Sequence, residues 1–225
     1  MKLDQHFMIN KKLIDKIVNY LEIEKNETIL EIGAGSGNLT KELKGNIIAV
    51  EVDKDLIKEL EKIKNIKIIN KNILDCIGNI KFDKITGNLP YSICEPLLNK
   101  LIKLKFKLAI FTLPAKFIRG FVIKLVLNEF FNFEILEEVS KEDFEPKPKV
   151  KSIVIKLIPK EHGIFGEIYL QQDKKLKNAL REAFCKHYNI SKKESLKKIP
   201  KFDFLDKKGF ELSAKELEEV HASVI

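Results

Sequence analysis

Leu13, Ile14, Ile17, Val18 and Leu21 recur at helical spacing and predict an amphipathic helix over about 11–22. Glu27 to Ile32 is different: a short apolar run that stops at a glycine-rich turn, as a buried strand does. Leu39 and Leu43 open the next predicted helix. A second strand covers 46–52, a second helix 55–63, and a third strand 66–69. Phe82 to Asn88 holds a fourth strand, and 108–112 a fifth. A helix is predicted over 117–127, and the last strands over 133–139 and 152–157. Strands alternating with helices predict an α/β fold: a doubly wound, mostly parallel seven-stranded sheet with helices on both faces. Ligands of such sheets lie beyond the carboxyl ends of the strands. Pro159 to Gly166 reads as a linker. Beyond it Leu176, Leu180 and Phe184 make one helical stripe, and Ser213 and Glu216 have the spacing of a capping box. The expected division is therefore a domain at 1–159 and a small basic helical domain at 167–225.

Composition narrows the function classes. The 225 residues are 44% hydrophobic, enough for a sizeable core, and no apolar run is long enough for a membrane span. The amino terminus lacks the charged-then-apolar pattern of a signal peptide, so a cytoplasmic protein is expected. Cys76, Cys94 and Cys185 have neither disulfide nor zinc-site spacing, and no metal site is expected. The net charge of +8 is unevenly spread. Residues 96–128 carry lysines and Arg119 without an acid, and 174–201 are rich in lysine against only Glu182 and Glu194. Such stretches suit phosphate-tracking surfaces, and equally suit solvated helix faces.

Three short segments carry candidate chemistry. Glu31-Ile32-Gly33-Ala34-Gly35-Ser36-Gly37 lies directly after a predicted strand and before a predicted helix, with the spacing G-x-G-x-G, not the G-x-G-x-x-G of dinucleotide binders. It resembles motif I of class I methyltransferases, which implies that Gly33 and Gly35 hold S-adenosylmethionine. Glu51 ends the second strand, where an acid accepts the hydroxyls of a ribose. Gly87-Asn88-Leu89-Pro90-Tyr91 follows the fourth strand and resembles motif IV of amino-methyltransferases. Adenine N6 is a poor nucleophile, its lone pair being delocalised into the ring. The Asn88 side-chain oxygen and the Leu89 carbonyl could accept both N6 hydrogens and drive the nitrogen towards a tetrahedral shape. Pro90 fixes the turn, and Tyr91 offers a stacking face worth about 1–3 kcal/mol. No strong general base is needed, because the alkylated nitrogen sheds its proton readily.

With this motif the chain resembles the KsgA/Dim1 family of ribosomal RNA adenine dimethyltransferases, relatives of the Erm resistance methyltransferases. The resemblance runs from Gln5 to about Leu157 and more faintly beyond. Gln5-His6-Phe7-Met8 is similar to the family's amino-terminal signature, implying cofactor contacts from Gln5, His6 and Met8. Phe144-Glu145-Pro146-Lys147-Pro148-Lys149-Val150-Lys151-Ser152 resembles its F-x-P-x-P-x-V-x-S element, implying that Phe144 and Tyr91 sandwich a flipped base. Asn72 stands where the family usually has Asp against the cofactor's adenine. Leu113 to Arg119 keeps only the arginine of a family stretch, and the loop normally following it is missing. The implied fold is the Rossmann-like class I methyltransferase domain, and the implied cofactor is S-adenosylmethionine, which Asn88 is also expected to contact. The implied product is dimethyladenosine at two adjacent adenines of small-subunit ribosomal RNA. The expected partner is that RNA or the immature small subunit, with the enzyme monomeric. The alternatives are an assembly factor with weak or lost catalysis, an Erm-like enzyme acting on large-subunit RNA, and a DNA adenine methyltransferase. The small basic carboxyl-terminal piece argues against the last.

Overall fold

The computed structural model describes residues 5–225. In chain order its elements are β1 (Phe7–Met8), α1 (Lys11–Tyr20), β2 (Thr28–Ile32), β3 (Asn46–Glu51), α2 (Lys54–Leu60), β4 (Ile66–Asn70), α3 (Ile73–Cys76), β5 (Lys84–Asn88), α4 (Tyr91–Leu101), β6 (Leu108–Pro114), α5 (Phe121–Phe130), β7 (Phe131–Val139), β8 (Phe144–Glu145), β9 (Ser152–Pro159), α6 (Ile164–Tyr169), α7 (Leu176–Tyr188), α8 (Lys192–Leu196) and α9 (Ala214–Val224). They form two compact units. One comprises the chain up to Arg119 with Asn132–Pro159; the other comprises Gly120–Phe131 with Lys160–Ile225.

The first unit holds a seven-stranded sheet in the order β4-β3-β2-β5-β6-β9-β7. Pairings among β4, β3, β2, β5 and β6 are parallel, and β9 runs antiparallel to β6. From β2 the chain winds outward to β3 and β4, then crosses to β5 on the other side. The segments leaving β2 and β5 diverge, which opens a crevice at this switch point. The predicted amphipathic helix is α1. Asn10 caps it by accepting from the Lys12 and Leu13 N–H groups at 3.0 and 3.3 Å. Its Leu13, Ile14 and Ile17, with Leu21, are buried among Ile29, Ile47, Leu108, Ile110 and Val154. One charged pair is also buried: Lys84 on β5 lies 2.8 Å from Glu27, with side chains 7% and 5% exposed. Burial opposes ionisation of Glu27, but Lys107, Lys84 and the Glu24 N–H hold its carboxyl down at about 2.

The helix expected from Leu39 is only a 3-10 turn, Thr40–Glu42. Few residues separate the glycine loop from β3, and Gly45, at φ +96°, turns the chain before a second helical turn can form. Similarly, 117–119 form a 3-10 turn, and α5 starts only after Gly120.

The second unit takes in more chain than the expected 167–225. Glu129 at the end of α5 accepts from the Gly163 and Gly166 N–H groups at 2.7 and 3.0 Å. Lys160 N–H donates to Phe130 at 3.0 Å, and the Phe130 ring lies 5.0 Å from His162. These contacts tie 120–131 to the carboxyl-terminal part, and only the end of the expected linker, 164–166, enters helix α6. The stripe Leu176, Leu180 and Phe184 on α7 is buried with Ile164, Phe165, Ile168 and Val220. Capping boxes at Ser191 and Ser213 start α8 and α9.

Candidate active site

The glycine loop leaves β2 at the switch point. Gly33 and Ala34 N–H both donate to the Val50 carbonyl, at 2.8 and 3.2 Å. Gly33 and Gly35 have φ of +64° and +58°, where a side chain is strained. A Cβ on Gly35 would also press on the Phe7 ring at 3.0 Å. Glu51, buried at the end of β3, organises the loop. One carboxylate oxygen accepts from Gly35 N–H at 2.9 Å, the other from Val52 and Asp53 N–H at 2.8 and 2.9 Å. Glu31, just below the loop, is fully buried, and its Oε2 has no partner among the described residues. Burial raises its carboxyl to about 8; the neighbouring Thr40 hydroxyl opposes this and the Glu51 charge adds to it.

Asn88 ends β5, the strand beside β2. Gly87 lies opposite Ile32, and a Cβ there would fall 2.5 Å from the Ile32 carbonyl oxygen. Only glycine lets the two strand ends approach this closely. The Asn88 amide donates through Nδ2 to the His6 carbonyl at 2.8 Å, so Oδ1 is the end left to accept. Leu89 N–H donates to the Thr112 carbonyl at 2.8 Å, fixing the next peptide. Pro90 in extended geometry then caps α4, whose first residue is Tyr91. Tyr91 is 61% exposed. Its aromatic neighbour is Phe117, edge-on with centroids 6.4 Å apart.

The amino-terminal segment straps these parts together. β1 pairs antiparallel with β8, Phe7 opposite Glu145 and Met8 opposite Phe144. Ile9 N–H donates to the Asp143 carbonyl at 2.8 Å, and Asn10 Nδ2 to Asp143 at 2.6 Å. His6 Nδ1 lies 2.6 Å from the Pro146 carbonyl. Asn38 donates to the Met8 carbonyl at 2.9 Å, and Gln5 to Asp53 at 2.9 Å. The Gln5 amide and the Asp55 N–H hold the Asp53 carboxyl below its usual range.

Two side chains of the expected site, those of Phe144 and Met8, lie in the core. Phe144 is 1% exposed and packs in the core with Met8, Leu13, Ile14 and Val139, so it presents no face to a base. Its register explains this: β1 pairing turns the Phe144 and Met8 side chains inward together. For the same reason the Met8 side chain points to the core, and its polar contribution to the site is the carbonyl held by Asn38. Asn72 is exposed after β4, where its oxygen caps α3 by accepting from Leu74 N–H at 3.0 Å. Phe7, Asn10, Glu31 and Asn38 are site residues that the sequence reading left out. Phe7 lies inside the recognised amino-terminal motif and Asn10 two residues after it, while Glu31 opens the glycine motif and Asn38 follows it, so proximity was the available signal.

The site suits a polar ligand that approaches the backbone closely. The glycine cradle would be filled by a Cβ, an acidic residue closes the neighbouring strand, and one buried carboxyl oxygen below the loop is unpartnered. This sheet order with the glycine loop at its switch point defines a class I methyltransferase. Residues 1–210 match the family described as ribosomal RNA adenine dimethylase, and the chain belongs to that family. It is 34% identical to a probable ribosomal RNA small subunit methyltransferase A of Methanosarcina acetivorans, covering 96% of this chain and 90% of that one. It is 33% identical to the ribosomal RNA small subunit methyltransferase A of Borreliella afzelii, covering 85% and 82%. In fold it is similar to a dimethyladenosine transferase from Plasmodium falciparum, with a TM-score of 0.68 at 24% identity over 96% of this chain and 98% of that one. The 23S rRNA methyltransferase ErmE superposes with a TM-score of 0.63 at 21% identity, covering 82% and 91%.

Proposed function

We propose that this methyltransferase acts on N6 of two adjacent adenines in small-subunit ribosomal RNA and yields N6,N6-dimethyladenosine. The observation that carries the reading is Asn88. Its amide is pinned by the His6 carbonyl so that an acceptor oxygen remains, one strand away from the glycine loop. Two acceptors, Asn88 Oδ1 and the Leu89 carbonyl, are the set an exocyclic amine requires. Accepting both N6 hydrogens releases the nitrogen lone pair from the ring and aims it. Positioning of this kind supplies much of a rate enhancement when the electrophile is already reactive. Tyr91, exposed at the start of α4, stacks the flipped base.

S-adenosylmethionine, when bound, supplies an electrophilic methyl group on a sulfonium. Gly33 and Gly35 would give it backbone approach, and Glu51, which already takes three backbone N–H groups, would accept from a ribose hydroxyl with its remaining lone pair. Gln5, His6 and Met8 would enclose it through the strap, and Asn72 would meet its base. Asn72 spends one lone pair on the α3 cap, so it keeps one acceptor position and two donors. The catalytic chemistry belongs to the first unit and the basic helical unit assists recognition. The protein works as a monomer on the immature subunit in the cytoplasm; no helix among the described residues is long and apolar enough to cross a membrane.

The test is transfer of labelled methyl from S-adenosylmethionine to unmodified small ribosomal subunits, followed by nucleoside analysis. Dimethyladenosine is the expected product. Subunit binding without transfer would replace this reading with an assembly role, and label in large-subunit RNA would replace the substrate.

A further inference from the structure

We infer that Lys116, Arg119 and Lys151 form a phosphate-binding rim beside Tyr91 that grips the RNA strand next to the base-entry point. The inference rests on the function proposed above and adds the surface that holds the substrate. Three observations carry it. The first is placement. Phe117, whose ring meets Tyr91 edge-on, sits in the 3-10 turn that ends at Arg119, with Lys116 immediately before it. At the end of the β6–β9 ladder Pro114 faces Ser152, and Ala115 N–H donates to the Lys151 carbonyl at 3.0 Å. Lys151 therefore joins Lys116 from the adjacent strand.

The second observation is charge. All three residues are exposed, and none is paired with an acid among the described residues. Some lysines of this unit are matched, Lys107 lying 2.8 Å from Glu27 and Lys62 2.7 Å from Glu59; others, Lys100, Lys103 and Lys105 among them, are unmatched among the described residues but lie away from the aromatic pair. No acid occurs anywhere in 96–128. Unmatched cations at one spot leave a positive potential for a polyanion to neutralise. The third is the exposed Tyr91 ring, edge-on to the Phe117 that stands between Lys116 and Arg119 in the chain. Aromatic faces interleaved with cations suit single-stranded nucleic acid, in which bases stack while phosphates pair with the rim.

The experiment follows binding of a fluorescein-labelled single-stranded RNA oligonucleotide carrying two adjacent adenines, by anisotropy, from about 50 to 200 mM salt. The variants are K116A/R119A/K151A and, with the same loss of charge, K100A/K103A/K105A at the far end of α4. Each single-strand phosphate contact adds about 0.7 to the salt slope, so the rim variant is expected to lose about 2 and to bind roughly 10–100-fold more weakly near 0.1 M salt. The α4 variant stays near wild type. The charge-preserving K116R/R119K/K151R keeps the slope, which separates charge from folding. Equal losses in the rim and α4 variants overturn the rim, and so does wild-type protein that holds the RNA no better than the rim variant. The methylation assay is read separately. Transfer to small subunits with an unchanged slope removes the rim and leaves the reaction. A lost slope with no transfer by the wild type leaves the rim and removes the reaction.

Discussion

At the residue scale the site depends on which end of one amide faces the substrate. The His6 carbonyl takes Asn88 Nδ2, and the opposite orientation would set two oxygens against each other. Asn88→Ala should therefore cut methyl transfer by at least about 100-fold, the size of effect seen when one preorganised polar group is removed from an active site. S-adenosylmethionine affinity by calorimetry should fall far less than transfer, since the glycine loop and Glu51 are untouched and only the anchor of the His6 carbonyl is lost. Equal loss of binding and transfer would move Asn88 from catalysis to cofactor retention. Phe144 makes the opposite case. A stacking residue would tolerate truncation in stability and lose activity. A buried ring loses stability, and Phe144→Ala should cost about 3–5 kcal/mol of unfolding free energy. Phe144→Leu should restore much of that and keep most of kcat. A Leu variant of wild-type stability with little transfer would return the ring to the base pocket.

At the scale of elements, the strap made by β1 and β8 joins segments far apart in the chain. Asn10 both caps α1 and bonds Asp143, so Asn10→Ala should lower stability by about 1–2 kcal/mol. Because Met8 and His6 follow the same strap to Asn38 and Asn88, cofactor affinity should fall with it; calorimetric affinity equal to wild type would show that the strap closes independently of its anchor. Elements whose signal is local were legible in the sequence. The stripe of α1, the apolar runs of β2 to β6 and the two glycine-bearing motifs each stand on a few consecutive residues. What was not legible depends on distant partners or small energies. α3 and α8 are single turns held by caps, too short for periodicity to register. The missing helix after Leu39 follows from the shortness of a crossover, which composition does not reveal. The family resemblance placed Phe144 in the site, but burial there is set by a two-residue ladder to β1, a contact across most of the domain. The place of 120–131 in the second unit was illegible for a similar reason: a carboxylate at the end of α5 reaches two backbone amides inside the apparent linker.

At the scale of the whole molecule, two buried carboxyls give stability opposite pH dependences. Glu27 is held down at about 2 against an ordinary 4.5, so the unfolded chain binds the proton more readily. Its contribution is complete above about pH 4.5 and is lost as pH falls towards 2. Glu31 is raised to about 8, so between 4.5 and 8 the folded chain holds a proton that the unfolded chain releases. Its contribution is complete below about pH 4.5 and is lost as pH rises through 8. The ligand-free protein should then be most stable in mildly acidic buffer, with a falling limb on each side. The limb from Glu31 is steepest where the two states differ by a full proton, about 1.4 kcal/mol per pH unit. In a chain of this size that is roughly 3–6 °C of Tm per unit. Glu31→Gln removes the proton exchange and keeps the shape, so the variant's Tm should gain on wild type steadily from pH 5 to pH 8. Glu27→Gln should instead lose most above pH 5, where it leaves the buried Lys84 without its counter-charge. Parallel Tm curves for wild type and Glu31→Gln would show that Glu31 is ionised when folded, and that the space under the glycine loop holds a charge before any ligand arrives.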